Sequence, residues 1–452
     1  MSYFLYSLLL GMGLLLSLPY WLFQTLRHGK YRSGLWQRLG RVPHWLNALK
    51  LENSAVIWIH AVSVGEVLAV RGLLEGIRSR FPQYRLVVST TTDTGQTLAR
   101  KLFGNEKVFY FPMDFAFAIR PYLQALRPQL VVLAETEFWP NFLRLAHESG
   151  AFLAVVNARI SDRSWPKYQR FRWALRRMLA HVDLFLTQTE QDRTRLQLLG
   201  APSERTQVTG NLKFDMTLPA APPIVESLRQ SFIASRAGPV LVCGSTVEGE
   251  EPLLLKAFEN VLVTHPRAVM LLAPRHPERF DSVARLLKEM GISFQRRSAL
   301  TSDHGVSDGL TGVAAESLAG SVLLVDTIGE LASLYALADI AFVGGSLVPR
   351  GGHNILEPAL HGVAIVVGQH TENFRDIVGL FQSRNAVRVV GPAELPLTLL
   401  ELLTNRDECA ALGRRAAETM RSQTGATVRT LEALEKFLAA DAAPAVQAAP
   451  VQ

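Results

Sequence analysis

Short apolar runs recur along most of the chain, each followed by a stretch in which apolar positions return at helical spacing. "AVIWIHAV" (55–62), "RLVVSTT" (85–91), "KVFYFP" (107–112), "LVVLAE" (130–135), "AFLAVVNA" (151–158) and "LFLTQT" (184–189) form a first series. A second follows: "PVLVCGST" (239–246), "AVMLLAPRH" (268–276), "VLLVDT" (322–327), "IAFVGGS" (340–346), "VAIVVG" (363–368) and "AVRVV" (386–390), with helical pieces such as 250–263 and 278–290 between. Strand-like runs alternating with helices are the signature of βαβ units in a parallel sheet. The expected fold class is therefore α/β, with two doubly wound, Rossmann-like domains. Between the series lies the Pro-rich, aperiodic "TLPAAPP" (217–223), the candidate linker. In such sheets ligands bind beyond the carboxyl ends of the strands, which directs the search for chemistry there.

Length agrees with two domains, because 452 residues exceed the roughly 250–300 at which one core stops growing. The first residues have a different pattern. From Met1 to Leu26 no residue is charged, and "YFLYSLLLGMGLLLSLPYWLF" reaches the ~20 apolar residues needed to cross a bilayer. Without a basic leader or a small-residue cleavage site it reads as an anchor rather than a removable signal, with a buried core helix as the alternative. Arg27, Lys30, Arg32, Arg38 and Arg41 follow with no acid before Glu52, which places the rest of the chain in the cytoplasm. Pro19 and the modest length allow the segment either to span or to lie in one leaflet. The net charge of +7 permits nucleic acid, yet the cations are interleaved with apolar helices and no aromatic reader motif accompanies them, so no nucleic-acid partner is expected. Cys243 and Cys409 lie far apart without a CxxC or a His companion, which points to neither a metal site nor a disulfide.

At the strand ends small and polar residues gather. The first run breaks into Ser63-Val64-Gly65-Glu66 where a helix should begin, so a carboxylate stands at the end of the first strand. The plain alternative is a helix-dipole partner. In "GGSLVPRGGHNILEPALHG" (344–362), Gly344, Gly345, Gly351 and Gly352 are expected to leave backbone N–H groups open to a phosphate. The helix starting near Asn354 would favour an anion, and Glu357 would reach ribose hydroxyls. Arg275, with His276, offers a fixed positive charge, although an Arg after a strand is often only a surface ion pair. Gly329 and Glu330 equally suit a turn and a helix start. Neither GxxxxGK[ST] nor GxGxxG occurs, which removes support for P-loop and dinucleotide sites.

In order, "HAVSVGE", "ETEFWPN", "NARISDRS", "GNLKFD", "GSTVEGEE", "PRHPERF", "DTIGEL" and "GGSLVPRGGHNILEPALHG", behind an apolar N-terminal segment, resemble the 3-deoxy-D-manno-octulosonic acid (Kdo) transferases of lipopolysaccharide biosynthesis, over residues 1–435. The resemblance implies a GT-B glycosyltransferase with two Rossmann-like domains facing across a cleft. It also implies CMP-Kdo as donor, and as acceptor the tetraacyldisaccharide bisphosphate precursor of lipid A (lipid IVA) at the cytoplasmic face of the inner membrane. It makes Glu66 the proton acceptor. CMP contacts fall on Pro274 and Arg275, on Ile328, Gly329 and Glu330, and on Asn354, Ile355, Leu356 and Glu357; Glu137 and Arg163 fall on the acceptor side. Ile328 stands where methionine is common in the family. The leaving group is a nucleoside monophosphate and no Asp-x-Asp occurs, so neither a catalytic metal nor a cofactor is expected. One base opposite the CMP implies inversion.

Domains are expected at 27–216 (acceptor) and 239–438 (donor), with an anchor at 1–26, a linker at 217–238 and a disordered tail at 439–452. The stretch 159–177 mixes Arg163, Lys167, Arg170, Arg172, Arg176 and Arg177 with Trp165, Phe171 and Trp173, and reads as a surface for anionic lipid, or as a solvated helix face with core aromatics. A UDP-sugar transferase and a membrane-anchored nucleotide-binding module without catalysis are the alternatives.

Overall fold

The computed structural model describes residues 3–28, 34–46, 55–217, 220–300 and 318–440. They form two compact units, Met1–Met216 with Gln423–Gln452, and Thr217–Ser422. Each unit is built on a seven-stranded sheet whose strand pairs are all parallel.

In the first unit the strands are β1 (Val56–His60), β2 (Arg85–Thr90), β3 (Val108–Tyr110), β4 (Pro128–Ala134), β5 (Phe152–Ala158), β6 (Leu184–Thr187) and β7 (Thr206–Val208). They lie in the order 3-2-1-4-5-6-7, so the chain changes direction across the sheet between β1 and β4. Continuous apolar runs are required here because helices cover both faces. Along β1, Val56 and Trp58 enter one core and Ile57 and Ile59 the other. Thr92 and Thr189, in strand-to-helix turns, accept from Gly95 N and Asp192 N, supplying a partner that the helix start lacks.

The second unit repeats the plan with β8 (Val240–Thr246), β9 (Val269–Pro274), β10 (Phe294–Arg296), β11 (Val322–Leu324), β12 (Ile340–Val343), β13 (Ala364–Gly368) and β14 (Arg388–Val390). Their order is 10-11-9-8-12-13-14, and here the switch lies between β8 and β12. Leu241 and Cys243 pack on one face, Val240 and Val242 on the other. Both cysteines are free and buried.

Several expectations change. Strands β7 and β10 are additional: each has three residues at a sheet edge, and a central polar residue, Gln207 or Gln295, breaks any apolar run. The segment expected as a linker, 217–238, contains the helix Pro223–Ser235, whose Val225, Leu228 and Phe232 are buried in the second unit's core. The donor domain does not extend to 438. Helix Ala426–Ala440 packs Ala426, Leu431, Leu434 and Leu438 into the core beneath Ile57 and Ile59 of the first unit. Tail residues 441–452 lie outside the described residues.

The N-terminal helix runs Tyr3–His28, and its Tyr3–Trp21 portion is long and apolar enough to cross a membrane by length and composition. Its first turns rest on the first unit. Tyr3 Oη hydrogen-bonds His181 Nε2 at 2.8 Å, Asn141 Nδ2 donates to Ser7 Oγ at 3.0 Å, and the Arg144 guanidinium stands 4.7 Å from the Tyr3 ring centroid. Farther along, Leu8, Met12, Leu15 and Leu16 are exposed.

Candidate active site

In the first unit the chemistry collects where β1 and β4 end, at the switch point where doubly wound sheets bind ligands. After β1 the chain turns through extended Ser63 into the short helix Val64–Ala69, and Glu66 occupies its first turn. Its carboxyl is buried and held from both sides: Val62 N–H donates to Oε2 at 2.8 Å and Ser63 Oγ–H to Oε1 at 3.0 Å. After β4, Glu135 adopts a left-handed backbone (φ 58°) and pairs with Lys213 Nζ at 3.0 Å. Non-glycine residues hold this conformation at a cost of about 1–3 kcal/mol, which concentrates them at functional sites. Burial pushes the Glu66 carboxyl up to about 7, with Glu135 and then Glu137 adding to the shift and the Val62 and Ser63 hydrogen bonds opposing it. Glu137 is also raised, by burial and by Glu135. A carboxyl poised near neutrality takes up a proton at the pH where it works.

Around this cluster the supports are firm. Asn157, left-handed at φ 55°, accepts from Leu212 N at 3.0 Å, fixing the loop that carries Lys213. His60, at the end of β1, is fully buried against Phe111 (3.8 Å between ring centroids) with Nδ1 on Ser89, and burial lowers it to about 3. It is therefore neutral and structural. Arg163 is exposed on the turn ahead of helix Trp165–Arg170, and no described contact ties it to Glu66.

In the second unit the expected phosphate loop is arranged differently from the sequence reading. The N–H groups of Gly344, Gly345 and Gly352 are not open to a ligand. They donate to Gly244 O (2.8 Å), Glu250 Oε2 (2.7 Å) and Gly345 O (2.7 Å). Glu250, wholly buried after β8, also accepts from Val247 N, Ser346 N and Leu347 N, so four backbone donors close on one carboxylate at the β8/β12 switch point. Gly344 is needed for this approach: a Cβ there would meet Ser245 O at 2.6 Å and Glu250 Oε2 at 2.8 Å. The helix expected to start near Asn354 is short, Leu356–Leu360, so little dipole builds up behind its start. Asn354 serves locally, accepting from Leu356 N at 3.1 Å and donating to Glu357 at 3.4 Å.

What remains available is a cationic corner. Arg275 follows β9, is exposed, and makes no ion pair among the described residues. Its charge acts on two neighbours. It opposes the burial that raises Glu357, and it adds to the burial that holds His353 down at about 4. Pro274 is buried at the end of β9. Ile355 and Leu356 are buried, so their side chains serve the core and only their backbone can face a ligand. Ile328 is 80% exposed beside left-handed Gly329 (φ 92°), which leaves that backbone accessible too. Glu330 is held by Thr327 Oγ1 and by the buried Arg297, 2.8 Å away. The structure thus gathers Arg275 with Glu357 in the second unit, and Glu66 with Glu137 in the first. Glu135, Lys213, Glu250 and Arg297 were not singled out by the sequence reading, although the first three stand inside the quoted motifs.

A family model described as 3-deoxy-D-manno-octulosonic-acid transferase (kdotransferase) matches residues 33–216. The 3-deoxy-D-manno-octulosonic acid transferase of Haemophilus influenzae is 34% identical over 386 residues, 84% of this chain and 87% of that protein. The chain belongs to this transferase family. The Bordetella pertussis 3-deoxy-D-manno-octulosonic acid transferase is 35% identical over 396 residues, covering 85% of this chain and 88% of its own length. Among solved structures, the complex of Anabaena Alr3699/HepE with UDP superposes with a TM-score of 0.54 at 13% identity, over 85% of this chain and all of that one. That likeness shows the fold alone, which is GT-B-like. Membership makes the chain a glycosyltransferase, a Kdo transferase of lipopolysaccharide biosynthesis.

Proposed function

We propose that the chain transfers Kdo from CMP-Kdo to the tetraacyldisaccharide bisphosphate precursor of lipid A, by a single inverting displacement at the cytoplasmic face of the inner membrane. The observation that carries this reading is Glu66, a buried carboxyl raised to about 7 at the β1/β4 switch point. As the acceptor hydroxyl attacks the anomeric carbon, a new C–O bond forms and the bond to the CMP phosphate oxygen breaks. The electron pair leaves with CMP and the hydroxyl proton passes to Glu66. Arg275 balances the charge on the departing phosphate, a task for which no catalytic metal is invoked. Glu357 receives the ribose, while the backbones of Ile328–Glu330 and Asn354–Leu356 seat the nucleotide. Glu137 and Arg163 serve the acceptor.

Membrane placement is supported by the apolar helix, its basic flank, and the exposure of Phe171 and Trp173 among the cations of 159–177. Transfer of radiolabelled Kdo from CMP-Kdo to the acylated disaccharide tests the whole reading. Activity should survive EDTA. Glu66→Ala should abolish turnover with CMP affinity intact by calorimetry; a comparable loss of CMP binding would move Glu66 to the donor side.

A further inference from the structure

Under the start of the N-terminal helix lies a cavity of about 290 Å³ walled by Tyr3, Tyr6, Phe138, Phe171, Trp173 and Met178. That size is at the lower end for small-ligand pockets, ~300 Å³. Its walls belong to three elements of the first unit: the first turns of the helix Tyr3–His28, the segment leading into helix Pro140–Glu148, and helix Arg172–Leu179. The tether of Tyr3 to His181 and Ser7 to Asn141 keeps the first wall in place. On the outer side the cavity is continuous with exposed apolar surface. Phe171 and Trp173 are 55% and 61% exposed, and Phe4 and Leu8 project from the same helix start. On the inner side its wall residue Phe138 directly follows Glu137, which acts on the Glu66 carboxyl. Cations stand at both walls, with Arg177 lining the cavity and Arg144 over Tyr3.

An apolar site with one wall residue next to Glu137 in the chain, and edged by arginines, fits an acyl chain attached to a phosphorylated sugar. We propose that this cavity seats an acyl chain of the lipid acceptor, positioning the acceptor hydroxyl for Glu66. This rests on the transferase reading above. A bilayer lipid would find the same apolar walls, but it carries no acceptor sugar; it is an alternative occupant for the test to separate.

The test uses the full chain in detergent micelles and two acceptors, the acylated disaccharide bisphosphate and the same molecule stripped of its acyl chains. Ala174→Phe fills the cavity. It should lower kcat/KM for the acylated acceptor about tenfold, the scale of a methylene in an apolar pocket, with all kinetics on the stripped acceptor unchanged. Equal losses on both acceptors, or no change on either, would overturn the proposal. Should the variant fail to fold, an acceptor carrying a diazirine at the end of an acyl chain is irradiated with the unaltered protein. Labelling of peptides containing Tyr3–Tyr6 and Phe171–Met178 is expected. Labelling elsewhere, or its suppression by plain phosphatidylglycerol vesicles as effectively as by the unlabelled acceptor, sinks the assignment. An unaltered chain that transfers no Kdo at all defeats the transferase reading itself, whereas normal turnover with an indifferent Ala174→Phe defeats only the cavity.

Discussion

Glu66 occupies a poor place for a negative charge: buried, with Glu135 and Glu137 near enough to repel it. Raising a carboxyl from 4.5 to about 7 at roughly 1.4 kcal/mol per pH unit makes its ionised form cost about 3–4 kcal/mol. The sign follows from proton uptake. Between pH 4.5 and about 7 the folded chain holds a proton that the unfolded chain has released, so this group's contribution to stability falls as pH rises through that window and stays low above it. Two outcomes are expected. First, kcat/KM should rise with pH to a plateau above about 7, following one deprotonation. Second, Glu66→Gln should eliminate turnover while raising the melting temperature at pH 8 relative to the parent, with the advantage vanishing at pH 4.5. A pH–rate profile flat from 5 to 8 would contradict the first, and a destabilised variant at pH 8 the second. The candidate base was legible because Ser63-Val64-Gly65-Glu66 ends a strand-like run. What raises it was not, since both its burial and its meeting with Glu135 arise because β4 lies beside β1, a pairing that no local spacing encodes.

At the scale of elements, the loop after β12 shows how a glycine-rich stretch can be built for an internal anion. Glu250 does for the N–H groups of Gly345, Ser346 and Leu347 what a phosphate was expected to do. Burial raises its carboxyl, but the backbone donors pull the other way, and all four are satisfied only by an acceptor. Glu250→Gln turns one acceptor atom into a donor facing N–H groups, which should cost about 2–4 kcal/mol. Hydrogen exchange at the amides of 345–347 should accelerate by a factor of about 30 or more, and CMP affinity should fall because the loop no longer holds its position. Unchanged exchange at those amides would show that the loop keeps its shape without the carboxylate. Gly residues are visible in a sequence; the partner that consumes their amides, about a hundred residues upstream, is set by the order of strands. Long runs such as "AVMLLAP" were legible as strands for the opposite reason, because burial on both faces is written into consecutive residues.

At the scale of the molecule, the last helix belongs to the unit that the chain began with. Asp215 accepts from Gly425 N and Thr427 N, Arg429 Nε donates to Thr209 O at 2.8 Å, and Leu431, Leu434 and Leu438 complete a core shared with β1. Leu434→Ala, at a fully buried position, should cost about 2–5 kcal/mol. Calorimetry of the full chain should show the loss in one transition, with the transition of the second unit in place. A shift of both transitions together would mean that the units unfold as one. Helical periodicity in 426–440 was readable, but its destination was not, because an amphipathic face specifies that it must be covered and not by what. This arrangement also orders events during synthesis. The first unit is translated first, yet the part of its sheet face that Leu431, Leu434 and Leu438 cover stays open until residue 438 has left the ribosome, whereas residues 217–422 can close their own core beforehand. The nascent chain therefore exposes greasy surface in the first unit while residues 217–422 are already folded, and chaperones that shield such surface should stay bound to it until the helix 426–440 has emerged.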